Sequence, residues 1–428
     1  MHPKERRSGA TRRDFLVRSG GAAFALSGAG SILAACSNST SSGTGATNSS
    51  GQTLGPLGLP LARPATPVTL PRYEDPIASG MQPETGGDFV IYNYPDYIDP
   101  AVLKEFGRKY NVTCKVTPFD DINSGITKLA AGTITPDVTE MTPDNMARVV
   151  AAKLIKPLNL DYIPNLKKNA WPQFVSPFYD REARYSVPYT VYTTGIYWRA
   201  DHVKEDIASM SNPWDIFWQA QAYKGKTALL SEVRESIALA MLHSGDTDIN
   251  TEDPAKINKA VSDLQQLYGI CNVKVGDLQY TRIPEGKDWL NQGWSGDAVT
   301  GYLFYAPDKA SKEALRYWHA PTGKGPIGND CWCVCSSSKK PVLAHLFLNF
   351  LLDNGIAYKN FTEFNGYQPP LNEIDPNDLI TKGLIPDTLS SAVVTAEDAG
   401  PTSLQEMTLT TQGQALWQNG YSQFLSGA

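Results

Sequence analysis

Few side chains in this sequence are spaced for covalent chemistry. Gly293-Trp294-Ser295-Gly296 approximates the Gly-x-Ser-x-Gly turn that lifts a serine nucleophile clear of a sheet, but Asp297 stands where the last glycine belongs. A serine nucleophile also needs a base, and His202, His243, His319 and His345 are scattered along the chain. Gly225-Lys226-Thr227 ends like a phosphate-cradling loop, yet Ala220 occupies the position of its first glycine. Cys331, Cys333 and Cys335 alternate, so a strand would carry them on one face. Their spacing does not suit zinc, and buried thiols acting as small hydrophobes are expected. What remains is non-covalent chemistry, and charge narrows it. Of 38 basic and 44 acidic residues, the first 36 positions hold six and two, leaving 32 against 42 and a net charge of −10. That balance argues against a nucleic-acid partner and permits a cationic one.

The first 36 residues set the address. Arg12-Arg13-Asp14-Phe15-Leu16 resembles a twin-arginine export signal, and Leu33-Ala34-Ala35-Cys36 resembles the lipobox of a bacterial lipoprotein. The apolar run between them is too short and too rich in glycine for a membrane-spanning helix. Cys36 is therefore expected to take a lipid and become the new N-terminus. Five cysteines follow it, an odd number, and export of folded cargo disfavours early disulfides among them.

Residues 37–53 are rich in Ser, Thr, Gly and Asn and read as a flexible tether. In 54–85, prolines keep the chain extended, while Leu54, Leu57, Leu59, Leu61, Val68 and Leu70 are too apolar for a free linker. This arm is expected to lie along the folded body. From Asp88 strand and helix patterns alternate, implying a mainly parallel sheet. Asp99-Pro100 and Asp253-Pro254 each read as an N-cap followed by a first-turn proline. Residues 185–198 read as extended chain leaving a first lobe. A strongly apolar helix starts at Pro341, with Gly355 as its stop. The length beyond Asp88 exceeds one ordinary domain.

The order of motifs resembles the periplasmic spermidine/putrescine-binding proteins, the capture subunits of polyamine ABC importers. The resemblance is carried by Asn93-Tyr94-Pro95-Asp96-Tyr97-Ile98-Asp99-Pro100, Leu154-Ile155-Lys156-Pro157-Leu158, Tyr185-Ser186-Val187-Pro188-Tyr189, Trp294-Ser295-Gly296-Asp297-Ala298 and Phe350-Leu351-Leu352-Asp353. It implies an α/β fold of the two-lobed type II periplasmic-binding-protein class, with crossover strands at the hinge. It also implies lobe one over 88–193 plus 330–375 and lobe two over 194–329 plus 376–428. Further implications are a monomer without enzyme activity, cofactor or metal, partnered by a polyamine or related cation and by the membrane subunits of an ABC permease.

A polyamine needs acceptors for its ammonium groups and flat apolar walls for its methylenes. The resemblance assigns such roles to Tyr94, Tyr97, Thr142, Asp144, Glu232, Glu235, Trp294, Asp330 and Tyr367, with Asp330 as the anchoring acid. Two positions depart from the family pattern. An aromatic before the anchoring aspartate is here Gly328, and a lobe-one tyrosine is here Asp144. These departures leave the choice of amine open. Ferric iron, a sugar or another cationic amine on the same fold is the alternative, and an exported hydrolase is a further one.

Overall fold

The computed structural model describes residues 47–48, 52–119 and 121–427. The leader, Cys36 and most of the expected tether lie outside the described residues.

The alternating segments form nine strands: β1 (Asp88–Asn93), β2 (Thr113–Pro118), β3 (Val138–Met141), β4 (Ser186–Arg199), β5 (Thr227–Leu229), β6 (Lys274–Val275), β7 (Leu290–Trp294), β8 (Leu315–Trp318) and β9 (Ile327–Val334). Helices that matter here are α1 (Pro100–Tyr110), α2 (Ile122–Ala130), α3 (Val233–His243), α4 (Pro254–Cys271), α5 (Ser295–Thr300), α6 (Pro341–Leu351), α7 (Asn354–Asn360) and α8 (Thr411–Ser426). Local chemistry sets their starts. The Asp99 carboxylate accepts from the Ala101 amide at 2.7 Å, and the Asp253 carboxylate from the Ala255 amide at 2.8 Å, each with proline in the first turn.

Strand order is β2-β1-β3-β9-β4-β7-β5-β6, with β8 also paired to β4. Pairs at both ends are parallel: β1 with β2 and β3, β5 with β6 and β7. The centre departs from the mainly parallel expectation. There β9 runs antiparallel to β3 and β4, and β4 runs antiparallel to β7 and β8. The first part of β4 (Ser186–Thr193) pairs with β9 and the second part (Thr194–Arg199) with β7 and β8, so this strand belongs to both halves. Gly195 sits at the changeover, where any β-carbon would collide with the Trp318 carbonyl.

Burial follows the strand faces. Phe89, Phe106, Trp332, Val334 and Phe347 share one apolar cluster, while Cys331, Cys333 and Cys335 face the opposite way into another. The second half has its own cluster, in which α3, α4 and α8 pack against one another through Ile237, Ile257, Val261, Trp417 and Phe424. The proline-rich arm is packed rather than free. Val68 and Leu70 are buried, the Val68 amide donates to the Phe178 carbonyl at 2.8 Å, and the Arg63 guanidinium reaches the Thr408 carbonyl at 2.9 Å. Gly355 does not stop α6, which ends at Leu351. The Asp353 carboxylate accepts from the Gly355 and Ile356 amides and starts α7 two residues earlier.

Candidate functional site

The chemistry-bearing residues gather where the parallel strands end. Tyr94 and Tyr97 follow β1, Thr142 and Asp144 follow β3, and Glu232 and Glu235 follow β5, Glu232 being the residue before α3. Trp294 closes β7, while Asp330 sits on β9 opposite Thr190 of β4. Loops beyond the carboxyl ends of parallel strands are the ordinary place for a ligand in such sheets.

Asp330 is buried and held by hydroxyls. Its Oδ2 accepts from the Tyr97 hydroxyl and from Thr190 Oγ1 at 3.0 Å, and its Oδ1 accepts from the Tyr192 hydroxyl at 3.3 Å. Burial nonetheless raises its pKa to about 6. Around it the rings stand edge to face in a continuous run. Tyr94 meets Tyr97 at 6.2 Å, Tyr97 meets Tyr367 at 5.2 Å, Tyr367 meets Tyr192 at 5.9 Å and Tyr192 meets Trp294 at 6.1 Å.

Glu235 closes the other end of that run. Its Oε1 accepts from Thr194 Oγ1 at 2.7 Å and from the Trp294 indole N–H at 3.1 Å, while Oε2 accepts nothing. Burial pushes its pKa up, against those two donors. Glu232 keeps some contact with solvent, but burial and then Asp277, Asp121 and Glu235 push its pKa up to about 8. Its side chain bonds none of the α3 amides, so it does not serve as a helix cap.

Thr142 and Asp144 turn toward each other. Thr142 Oγ1 donates to Asp144 Oδ1 at 2.6 Å, and the Asn145 amide bonds both. Asp144 joins the other acids through its field, which raises the pKa of Glu140 and of Glu232. The Tyr367 hydroxyl donates to Asp297 at 2.8 Å. Its ring lies where a β-carbon at position 296 would have to be, so Gly296 makes room for it.

Four neighbours were not singled out from the sequence as site candidates. Glu140 of β3 is wholly buried, with its pKa raised by burial and then by Asp330. Asp297 is buried beside Tyr367. Glu406 feels the charge of Glu235, Asp144 and Glu232, and its pKa is raised first by burial. Tyr192 pairs across the strands with Gly328. A β-carbon at 328 would lie 2.6 Å from the Tyr192 ring, so the ring fills space that a side chain at 328 would otherwise take. Signals for three of these existed only as an acid in a short strand (Glu140), an aspartate in a broken motif (Asp297) and a tyrosine in an aromatic-rich strand (Tyr192).

The result is a wall of rings flanked by acids that raise one another's pKa. Among the described residues, no His, Cys, Asp and Glu side chains group tightly enough to hold a metal ion, and no helix is long and apolar enough to cross a membrane.

Comparison with known proteins places this arrangement. The family model for bacterial extracellular solute-binding proteins matches residues 101–385. The putrescine/agmatine-binding protein of Pseudomonas aeruginosa is 24% identical over 216 residues, 49% of this chain and 58% of that protein, so the match spans little over half of its length. The putrescine-binding periplasmic protein PotF of Escherichia coli is 22% identical over 273 residues, 61% of this chain and 72% of that protein. Among solved structures, the spermidine/putrescine ABC transporter substrate-binding protein PotD of Streptococcus pneumoniae aligns with a TM-score of 0.61 at 24% identity, covering 80% of this chain and 99% of that one. The α/β fold is thus that of the two-lobed type II periplasmic-binding proteins, with β4 as the strand common to both halves. With two-thirds of its length matched by the family model, the chain belongs to the bacterial extracellular solute-binding proteins.

Proposed function

We propose that this protein captures a polyamine outside the cytoplasm, between two closing lobes, and delivers it to an ABC permease. The observation that carries the reading is the pairing of buried acid with aromatic wall. Glu140, Glu232, Glu235 and Asp330 crowd around Tyr94, Tyr97, Tyr192, Trp294 and Tyr367, and burial raises the pKa of all four acids. Such acids are costly to ionise without a cation, and a chain of ammonium groups and methylenes would supply cations at the carboxylates and stacking surface at the rings. The names of the relatives, which bind putrescine, agmatine or spermidine, support the same class of solute.

In this reading the solute contacts are Tyr94, Tyr97, Thr142, Asp144, Glu232, Glu235, Trp294, Asp330 and Tyr367. The lobes are 88–193 with 330–375 and 194–329 with 376–428, hinged at β4 and β9. Twin-arginine export and a lipid on Cys36 hold the monomer near its permease, with residues 37–53 as tether. The protein is a carrier, without catalytic activity or cofactor.

Isothermal titration with putrescine, agmatine, spermidine, spermine, maltose and Fe³⁺ tests this. Saturable binding of at least one amine, with no response to maltose or Fe³⁺, is the expected outcome. Silence toward every amine sinks the polyamine reading.

A further inference from the structure

We infer that Glu140 is a further solute-binding residue, forming with Asp330 a two-carboxylate station for one cationic end of the solute. The inference rests on the polyamine reading and adds a contact that the family resemblance does not supply.

Glu140 lies on β3 opposite Trp332 of β9. Strand alternation puts it on the same face as Val138, and puts Asp330 on the same face as Trp332 and Val334. Val138, Trp332 and Val334 share one apolar cluster, so both carboxyl groups point to that side of the sheet. Glu140 has 0% of its surface exposed; its carboxyl group lies within hydrogen-bonding reach of Asp330, and no other donor reaches either oxygen. Asp330, by contrast, already accepts from Tyr97, Thr190 and Tyr192. A buried carboxyl whose one partner is another acid is costly to ionise on a strand whose other residues are Val138, Thr139 and Met141.

The ionisable groups that face Glu140 are themselves acids or phenols. Asp330 acts on it from β9, Glu232 from the start of α3 and Asp144 from the turn after β3. Tyr94 after β1 and Tyr189 and Tyr192 on β4 also feel its charge. An acid cannot satisfy another ionised acid. A cationic nitrogen with several N–H donors can: an ammonium brings three donors and a guanidinium five in a planar fork.

Proton balance follows from the same geometry. When the site is empty, burial and the neighbouring acids hold the Glu140 pKa well above the usual carboxylate range, while Asp330 stands at about 6. The pair then keeps a proton to higher pH than an ordinary carboxyl would. An arriving cation favours the ionised pair, so the proton leaves to solvent as the solute binds. Affinity accordingly rises with pH until the empty pair has lost its proton, and falls on acidification toward 6.

Calorimetry of the full chain at pH 7 with putrescine and with agmatine, each in two buffers of different ionisation heat, reads affinity and proton release together. The wild type is expected to release a proton. Glu140→Gln is expected to bind about ten- to a hundredfold more weakly, the worth of one charge-assisted contact, and to release fewer protons. A larger loss for agmatine assigns the station to a guanidinium end, and an equal loss assigns it to an ammonium end. Unchanged affinity and unchanged proton release in Glu140→Gln overturn the inference. If that variant does not fold, Glu140→Asp keeps the charge and shortens the reach. It should bind more weakly while still releasing a proton, and wild-type affinity in Glu140→Asp overturns the inference equally. A wild type silent to both amines removes the polyamine reading itself, a different failure from a Glu140 without effect.

Discussion

The two ends of the candidate site are built differently. At the β9 end, Asp330 is met by hydroxyls from Tyr97, Thr190 and Tyr192, so its oxygens are oriented before any solute arrives. At the α3 end, Glu235 is bonded through one oxygen only, to Thr194 and the Trp294 indole, and Glu232 caps no amide. The β9 end is preorganised, whereas the α3 end keeps acceptor capacity in reserve. Preorganisation contributes affinity by lowering the cost of ordering on binding. In the proposed function, that reserve would let the second wall complete its bonds when the solute is bound.

The largest expected effect is at Asp330. Asp330→Asn keeps the shape but removes the charge that three hydroxyls orient. Losing a buried charge-assisted contact of about 3 kcal/mol corresponds to a fall in amine affinity of roughly a hundredfold. Glu235→Gln at the reserve end should lose less, about tenfold, because the Thr194 and Trp294 donors can still bond an amide oxygen. Titration of both variants with the best amine checks the order. A larger loss at Glu235 than at Asp330 would reverse the comparison between the two ends.

Raised acid pKa values are common to both ends, and Glu232 makes the effect readable at the α3 end. The Glu232 pKa rises from an ordinary 4.5 in the unfolded chain to about 8 in the fold, so between those values the empty folded protein holds a proton that the unfolded chain has lost. Stability of the empty protein therefore falls as pH rises from about 4.5 to 8, the opposite of a salt-bridged carboxylate. Thermal unfolding with and without amine should show the empty-protein Tm dropping across that window, and the amine-induced gain in Tm growing across it. Glu232→Gln should flatten the empty-protein slope. A slope unchanged in that variant would assign the effect to the other buried acids.

Much of the scaffold was legible in the sequence because it is set locally. Asp99-Pro100 and Asp253-Pro254 announce helix starts whose caps form as their chemistry requires. The alternating cysteines share one face because strand geometry leaves no other choice. The antiparallel centre was not legible, because the direction of β9 is fixed by partners about 140 and 190 residues earlier in the chain. Glu140 was missed for the same reason. Inside Val138-Thr139-Glu140-Met141 it looks like one polar residue of a short strand, and its burial against Asp330 comes from the β3–β9 register. Gly355 misled because a glycine after an apolar helix is a common stop, whereas Asp353 starts a new helix two residues earlier.

Gly328 offers the finest test, since the sequence showed an aromatic lost there and the structure shows a ring gained from across the strands. Tyr192 and Gly328 are direct β4–β9 partners, and the Tyr192 ring leaves no room for a β-carbon at 328. Gly328→Ala must push that ring aside and break its 3.3 Å hydroxyl contact with Asp330. Tyr192→Phe removes the same contact and leaves the ring in place. At 3.3 Å this bond to the carboxylate is long and contributes about 1 kcal/mol or less, so Tyr192→Phe should weaken amine binding by roughly fivefold at most. Gly328→Ala should cost more, because the displaced ring also loses its edge contacts with Trp294 and Tyr367. Titration of the two variants side by side separates the hydroxyl from the ring. Equal losses would mean that the ring contributes only its hydroxyl, and that the aromatic run between Asp330 and Glu235 is packing rather than part of the binding surface.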